Sequence, residues 1–137
     1  MEGDLWRFGR TPITTPGPFS DYAGNDRLQV LIAGRGLVLQ TPDGEIDVRT
    51  PFKPVRFAGE TMIVSRLEAG PVEVVNLIGR REAVALELEV LAEGEAFSWE
   101  GVAYPLSPDH ALRIDSGRRT IVALMCGRVV VAGIRRL

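Results

Sequence analysis

The chain has little of what most protein chemistry uses. Its 137 residues hold one cysteine, one histidine and one lysine. The single cysteine, Cys126, allows neither a disulfide framework nor a cysteine zinc cluster within one subunit. The single histidine, His110, excludes a multi-histidine metal site on the same terms. No metal and no cofactor is therefore expected. No stretch without a charged residue exceeds ten positions, far short of the roughly 20 apolar residues that span a bilayer. The opening Met1-Glu2-Gly3-Asp4 lacks the basic and apolar regions of a signal peptide. The expected compartment is the cytoplasm, with no membrane partner.

Charge removes further classes. Sixteen basic and eighteen acidic residues give a net charge of -2, which offers no reservoir of positive potential for nucleic acid or anionic lipid. No basic–aromatic stripe suits single-stranded nucleic acid, so no nucleic-acid partner is expected. The glycine-rich Ala33-Gly34-Arg35-Gly36 joins strand patterns and opens no helix, unlike a phosphate loop. Lys53 is the one lysine, so fifteen of the sixteen cations are arginine. Coding bias is one reading of that excess. The other is that a few arginines bind carboxylates, whose geometry the guanidinium fork matches.

What is present is strand patterning. A 45% hydrophobic and 25% charged composition suits a soluble globular chain, and residues 1–137 read as a single domain. Leu86, Leu88 and Val90 alternate with Glu87 and Glu89, the pattern of a half-buried strand. Thr120 to Cys126 and Arg128 to Ile134 flank Gly127 as a hairpin would. Gln29 to Ile32 and Leu37 to Leu39 flank the turn at Ala33-Gly34-Arg35-Gly36, and Pro42-Asp43-Gly44 turns the chain into Glu45 to Val48. Thr61 to Leu67 and Val72 to Ile78 face each other across Glu68-Ala69-Gly70-Pro71. No long segment carries the 3.6-residue rhythm of a helix. About ten or eleven short strands at this spacing predict an all-β sandwich or barrel. Val55-Arg56-Phe57 with Thr61 to Val64 is faintly echoed by Leu112-Arg113-Ile114 with Thr120 to Val122, a pattern that two related halves would produce and that two unrelated strands would produce as well.

The least regular segment is Thr11 to Asn25. Its three prolines and two glycines forbid a helix or a central strand, yet it carries Phe19 and Tyr22. An ordered aromatic loop of this kind is either a binding element or a lid with no ligand beneath it. Polar residues on otherwise apolar strands complete the candidate set. Arg7 lies between Trp6 and Phe8, and Asp26-Arg27 opens the strand Leu28 to Ile32. Asn76 falls on the same face as Val72, Val74 and Ile78, where an unsatisfied amide costs about 1–3 kcal/mol. Its partner is loop backbone or a ligand. Arg80-Arg81 reads as a solvated edge. Cys126 in an apolar strand reads as a structural thiol, and His110 as a surface or satisfied histidine. No nucleophile–base pair and no paired carboxylates are evident, so no catalytic residue is assigned.

The stretch Gly17-Pro18-Phe19-Ser20 through Asp26-Arg27 resembles the signature of the HutD/Ves family, where a Gly-Pro-Phe-Ser element precedes Asp-Arg and an apolar strand. Trp6-Arg7 is similar to that family's Trp-Arg strand. Leu31 to Leu39 with Gly34 and Gly36 resembles its Leu-x-Gly-x-Gly-Leu hairpin, and Phe57-Ala58-Gly59-Glu60 its Phe-x-Gly-Asp/Glu turn. Gly70-Pro71, Asn76 and Arg80-Arg81 resemble the family's Gly-Pro-Val-x-Asp-x-Asn…Arg-Arg ending. The likeness covers residues 4–91. It implies a cupin-type (RmlC-like) jelly-roll β-barrel, in that family a compact double cupin within one domain. It implies no enzyme activity established for the family as a whole. A small-molecule-binding, regulatory role linked to histidine utilisation is implied, with N-formylglutamate-like acids as ligand candidates, while other members are described only as stress-related. Two departures stand out. The family's Trp-x-Asn-Gly-Gly-Gly-x-Thr-x-Glu segment before the Trp-Arg strand has no counterpart here, and Gly9 stands where the family commonly has serine.

The leading expectation is a metal-free, non-catalytic cupin-like domain that binds a small-molecule carboxylate. Arg27 is the expected carboxylate partner, with Ser20 and Asn76 as neutral hydrogen-bonding groups, Phe19 and Phe57 as apolar walls, and Arg7 nearby. Asp26, holding Arg27, and Trp6 are the expected supports, the other reading of Asp26-Arg27 being an internal ion pair that pins the loop. A second expectation is a metal-independent isomerase or lyase acting on a sugar or small acid, for which Glu60, Glu73 and His110 are the available bases. A third is a homodimer formed through apolar barrel faces, with no ligand.

Overall fold

Strands alone make up the regular structure of the residues described by the computed structural model, 5–92, 95–104, 112–125 and 128–137. Among them there is no helix, hence none long and apolar enough to cross a membrane. His110 and Cys126 lie outside the described residues.

The first eight strands are β1 (Trp6–Ile13), β2 (Gly17–Pro18), β3 (Asn25–Ala33), β4 (Leu37–Thr41), β5 (Gly44–Val48), β6 (Val55–Ala58), β7 (Val64–Leu67) and β8 (Val72–Arg80). They form two four-stranded antiparallel sheets, a middle sheet ordered β1-β8-β3-β6 and an outer sheet ordered β2-β7-β4-β5. That alternation of the chain between two facing sheets is the double Greek key of a jelly roll, the cupin architecture. The remaining strands are β9 (Val84–Leu91), β10 (Phe97–Trp99), β11 (Val102–Tyr104), β12 (Leu112–Ser116), β13 (Arg119–Met125) and β14 (Val129–Arg136). They give a C-terminal sheet ordered β12-β13-β14-β9 and a two-stranded ribbon β10-β11.

The expected ten or eleven strands become fourteen among the described residues. The additions include β2, β10 and β11, two or three residues each and too short to display a period. The hairpin at Pro42-Asp43-Gly44 pairs as expected, with Thr41 opposite Gly44, and the strands on either side of Gly127, which itself lies outside the described residues, pair with Met125 opposite Val129. The other two turns do not make hairpins. β3 and β4 lie in different sheets, as do β7 and β8, so each turn is a corner that carries the chain from one sheet to the other. Alternation and turn residues specify a reversal, but not which partner the emerging strand meets. Gly34 shows the cost of the corner: its φ is 95°, and a Cβ there would lie 2.7 Å from the Pro71 carbonyl oxygen. The sequence echo does not carry into pairing either, since β6 and β7 sit in different sheets whereas β12 and β13 pair with each other. Thr11 to Ile13, expected in the loop, extends β1, because Pro12 is tolerated on a sheet-edge strand.

Three apolar layers separate the four sheets. Leu31, Val72 and Val74 of the middle sheet meet Leu37, Leu39 and Val48 of the outer one. On its other face Phe8, Leu28, Val30, Val75 and Leu77 meet Leu86, Leu88, Val130 and Ile134 of the C-terminal sheet. That sheet in turn buries Ile121 and Val131 beneath Phe97, Trp99 and Tyr104 of the ribbon. The middle sheet is therefore covered on both faces. This is why β3 reads Leu28-Gln29-Val30-Leu31 as one buried run rather than as an alternation.

Candidate functional site

The two faces of β3 divide its residues. Leu28 and Val30 point to the C-terminal sheet, so Arg27, Gln29 and Leu31 point into the jelly roll. The register extends this division across the sheet. Arg27 lies opposite Ile78 of β8 on one side and Phe57 of β6 on the other, and Ile78 lies opposite Arg7 of β1. One rung further on, about 6–7 Å along the strands, Gln29 pairs with Asn76 and Asn76 with Gly9. The third rung, Leu31, Val74 and Thr11, begins the apolar core. The inward face thus changes from polar to apolar along its length.

Over the two polar rungs lies a cavity of about 680 Å³. Arg7, Arg27, Gln29 and Asn76 line its middle-sheet wall, and Ser65 of the outer sheet also borders it. Its roof is the strap from Ile13 to Ser20. Gly17 is tied down by Ser65, whose Oγ accepts from the Gly17 N–H at 3.3 Å and donates to the Gly17 carbonyl at 3.1 Å. The Phe19 N–H donates to the Ile63 carbonyl at 2.9 Å.

Arg27 is 6% exposed, and its guanidinium carbon sits 5.3, 5.0 and 5.1 Å from the ring centres of Phe19, Tyr22 and Phe57. Two of those rings come from the strap and its continuation, the third from the neighbouring strand β6. Burial in this aromatic box pulls the guanidinium's pKa below its ordinary value, with Tyr22 opposing the shift. No carboxylate among the described residues pairs with Arg27, and its Nε is buried without an acceptor. Beside it, Gln29 is 1% exposed; its Nε2 donates to Asn76 Oδ1 at 2.9 Å, while its own Oε1 is buried without a donor.

Of the expected residues, the cavity brings together Arg7, Phe19, Ser20, Arg27 and Asn76. Phe57 does not line it; packed in the apolar core, it backs the Arg27 guanidinium from below. The two expected supports are corrected. Asp26 does not hold Arg27, because adjacent strand residues point to opposite faces. It accepts from Arg81 Nε at 2.7 Å and has Arg56 at 3.8 Å. Trp6 likewise faces away from the cavity, packs on the core beneath the C-terminal sheet, and has Arg113 over its ring at 5.6 Å.

Arg81, read from the sequence as a solvated edge, organises the end of the long loop. Besides Asp26 it donates to Glu60 Oε1 at 2.7 Å and to the Asn25 carbonyl at 2.9 Å, and Glu60 Oε2 accepts from the Gly24 N–H at 2.9 Å. These bonds hold the Glu60 carboxyl below its usual range. Glu60 is thus committed outside the cavity, as is Glu73, which pairs with Arg10. The described lining contains neither Asp nor Glu. Gln29, Tyr22 and Ser65 were missed as site residues. Gln29 carried a signal, a second polar residue two positions after Arg27 on a strand that is otherwise apolar. Ser65 carried none, because its role depends on which strand lies opposite.

Comparison with known proteins fits this architecture. A family model described as HutD matches residues 2–120. An uncharacterized 21.2 kDa protein of the hutC 3' region of Pseudomonas putida is 30% identical over 78 residues, covering 57% of this chain and 41% of that protein. The chain therefore spans about two-fifths of that curated relative. The structure of HutD from Pseudomonas fluorescens SBW25, in a formate condition, superposes with a TM-score of 0.67 at 19% identity, over 96% of this chain and 79% of the other. A conserved protein of unknown function from Pseudomonas aeruginosa PAO1 gives 0.64 at 18% identity, over 96% and 75%. With the family model spanning all eight jelly-roll strands and reaching into β13, the chain belongs to the HutD family.

Proposed function

We propose that this HutD-family domain binds a small organic acid in the jelly-roll cavity, with the ligand's carboxylate on Arg27, and that binding serves a regulatory role in histidine utilisation. The observation that carries the reading is the buried Arg27 Nε with no acceptor, on a cation that no described carboxylate neutralises. A desolvated cation without an anion is costly, and a carboxylate arriving through the cavity would supply both charge and hydrogen bonds. The aromatic box holds the guanidinium in place before the ligand arrives, which lowers the ordering cost of binding. The histidine-utilisation element of the proposal rests on family membership and on the hutC-region relative. The absence of Asp and Glu from the described lining favours binding over acid–base chemistry at this site.

The test is a thermal-shift screen of the wild type and Arg27→Ala with N-formylglutamate, glutamate, urocanate, formate and unrelated sugars. A ligand that binds only the native state must raise the melting temperature. Stabilisation of the wild type by an acid, lost in Arg27→Ala while the fold survives, is the expected result. Silence across the acids at millimolar concentration, or equal shifts in both proteins, would sink the reading.

A further inference from the structure

The ion-pair cluster outside the cavity reaches the Arg27 site through one turn of chain. Arg81 follows β8 directly, Asn25 and Asp26 open β3, and Gly59 and Glu60 follow β6. Arg81 thus gathers the ends of three neighbouring strands of the middle sheet. Its guanidinium donates to Asp26 Oδ1, Glu60 Oε1 and the Asn25 carbonyl, and its own N–H donates to the Gly24 carbonyl at 3.0 Å. Glu60 in turn accepts from the Gly24 N–H. Both backbone polar groups of Gly24 are therefore held by the cluster.

Gly24 belongs to a turn whose first residue is Tyr22. The Asn25 N–H donates to the Tyr22 carbonyl at 3.0 Å, and Asn25 Nδ2 donates to the same oxygen at 3.2 Å. Gly24 has a φ of 79°, as the third position of a type II turn requires. The Tyr22 N–H donates to the Gly59 carbonyl at 3.0 Å, and the Gly59 N–H to the Asn25 carbonyl at 2.7 Å. A Cβ at Gly59 would lie 2.3 Å from the Tyr22 carbonyl oxygen, so glycine is what lets the two segments meet this closely. On the other side of this scaffold Tyr22 borders the cavity, its ring centre 5.0 Å from the Arg27 guanidinium carbon. Phe57, a second wall of the aromatic box, is placed by the β3–β6 ladder. Tyr22 lies outside the strands, so its ring stays over Arg27 only as firmly as the turn is held.

We infer that Arg81 is a positioning residue for the cavity: by clamping the turn at residues 22–25 it sets the Tyr22 wall against Arg27, and so the readiness of the guanidinium for an anion. Only the effect on an anion rests on the carboxylate reading of Arg27. The Arg81 pairs are themselves solvent-exposed, and exposed ion pairs contribute little to global stability. What they fix is local geometry. Without them the turn loosens and the ring leaves the guanidinium part of the time. Binding must then order a side chain that the folded protein otherwise holds in place beforehand.

The test reads Arg27 directly. Phenylglyoxal adduct formation at Arg27 is followed by peptide-resolved mass spectrometry, with no acid ligand present, in the wild type, Arg81→Met, Tyr22→Leu and the double variant. Each single variant should speed modification of Arg27 about threefold or more, through local opening of the aromatic box. The double variant should react no faster than Tyr22→Leu alone, because Arg81 acts through that ring. Titration with N-formylglutamate should repeat the pattern, with binding about three- to tenfold weaker in each single variant and no further loss when Arg81→Met is added to Tyr22→Leu. Should Arg81→Met fail to fold, Glu60→Leu removes the hold on the Gly24 N–H and is read in the same way. Unchanged Arg27 reactivity in a folded Arg81→Met protein, or effects that add in the double variant, would overturn the positioning role. If N-formylglutamate binds none of these proteins while the modification rates follow the expected pattern, the positioning role stands and the failure belongs to the carboxylate reading.

Discussion

The middle sheet faces two spaces, and the two differ in kind. Toward the C-terminal sheet, Phe8, Leu28, Val30, Val75 and Leu77 present a wholly apolar surface, met by apolar side chains such as Leu86 and Ile134. Toward the outer sheet the same strands present Arg27, Gln29 and Asn76 before the apolar core begins at Leu31 and Val74. Leu28 lies between Arg27 and Gln29 in sequence, so one strand serves both environments by its pleat alone. Stability by itself would favour apolar packing on both faces, since buried polar atoms without partners oppose folding. One face holds the sheets together, while the other keeps unmet hydrogen-bonding capacity.

The most disruptive test of that contrast removes side-chain volume from each face. Leu77→Ala, at a fully buried position of the filled layer, should cost about 2–5 kcal/mol in urea denaturation. Ile78→Ala, one residue along and lining the cavity, should cost clearly less, because its neighbours already border open space. Equal costs would erase the distinction. Arg27→Met comes next. The aromatic contacts favour the cation and its desolvation opposes it, so stability should stay within about 1 kcal/mol of the wild type while acid-dependent stabilisation disappears. A loss beyond about 3 kcal/mol would make Arg27 a structural member of the fold.

Smaller effects sharpen the picture. Gly9→Ser adds a side chain where nothing lies within 4 Å, so denaturation should report a change within about 0.5 kcal/mol. Calorimetric titration should nevertheless show altered acid affinity, because the hydroxyl enters the cavity beside Asn76. The gentlest change concerns the loop clamp outside the cavity. Glu60 is held below its ordinary value of 4.5 by the Gly24 N–H and by Arg81, so its folded form favours the carboxylate. That stabilisation is present above the unfolded pKa and is lost as pH falls through the lower folded value. Melting curves from pH 6 to 3 should therefore show a shallower acid decline for Glu60→Gln than for the wild type, the two converging at the acid end. Unchanged slopes would show that the clamp does not hold the loop.

Much of the site was legible because strand alternation is a local rule. Asn76 could be placed on the inward face from Val72, Val74 and Ile78 alone, and Arg27 stood out at the junction of an aromatic loop with an apolar strand. The same rule, pressed further, assigns Gln29 to the face of Arg27. It also separates Asp26 from Arg27, the pairing that adjacency in sequence suggested and the pleat forbids. Arg81 escaped because its partners Asp26, Asn25 and Glu60 arrive from other strands and turns.

The alternation of apolar residues and the placing of glycine and proline determined the strand class, the turns and, along the longer strands, the inward or outward sense of the side chains. Those properties depend on a residue and its near neighbours. Tertiary structure decided which strands pair, that Ala33-Gly34-Arg35-Gly36 and Glu68-Ala69-Gly70-Pro71 are corners between sheets, and that Gln29 meets Asn76. It also decided that three aromatic rings enclose Arg27 and leave its Nε without an acceptor. The reason is physical: pairing and enclosure join residues distant in the chain, and only the packed arrangement of all the strands fixes which of them meet.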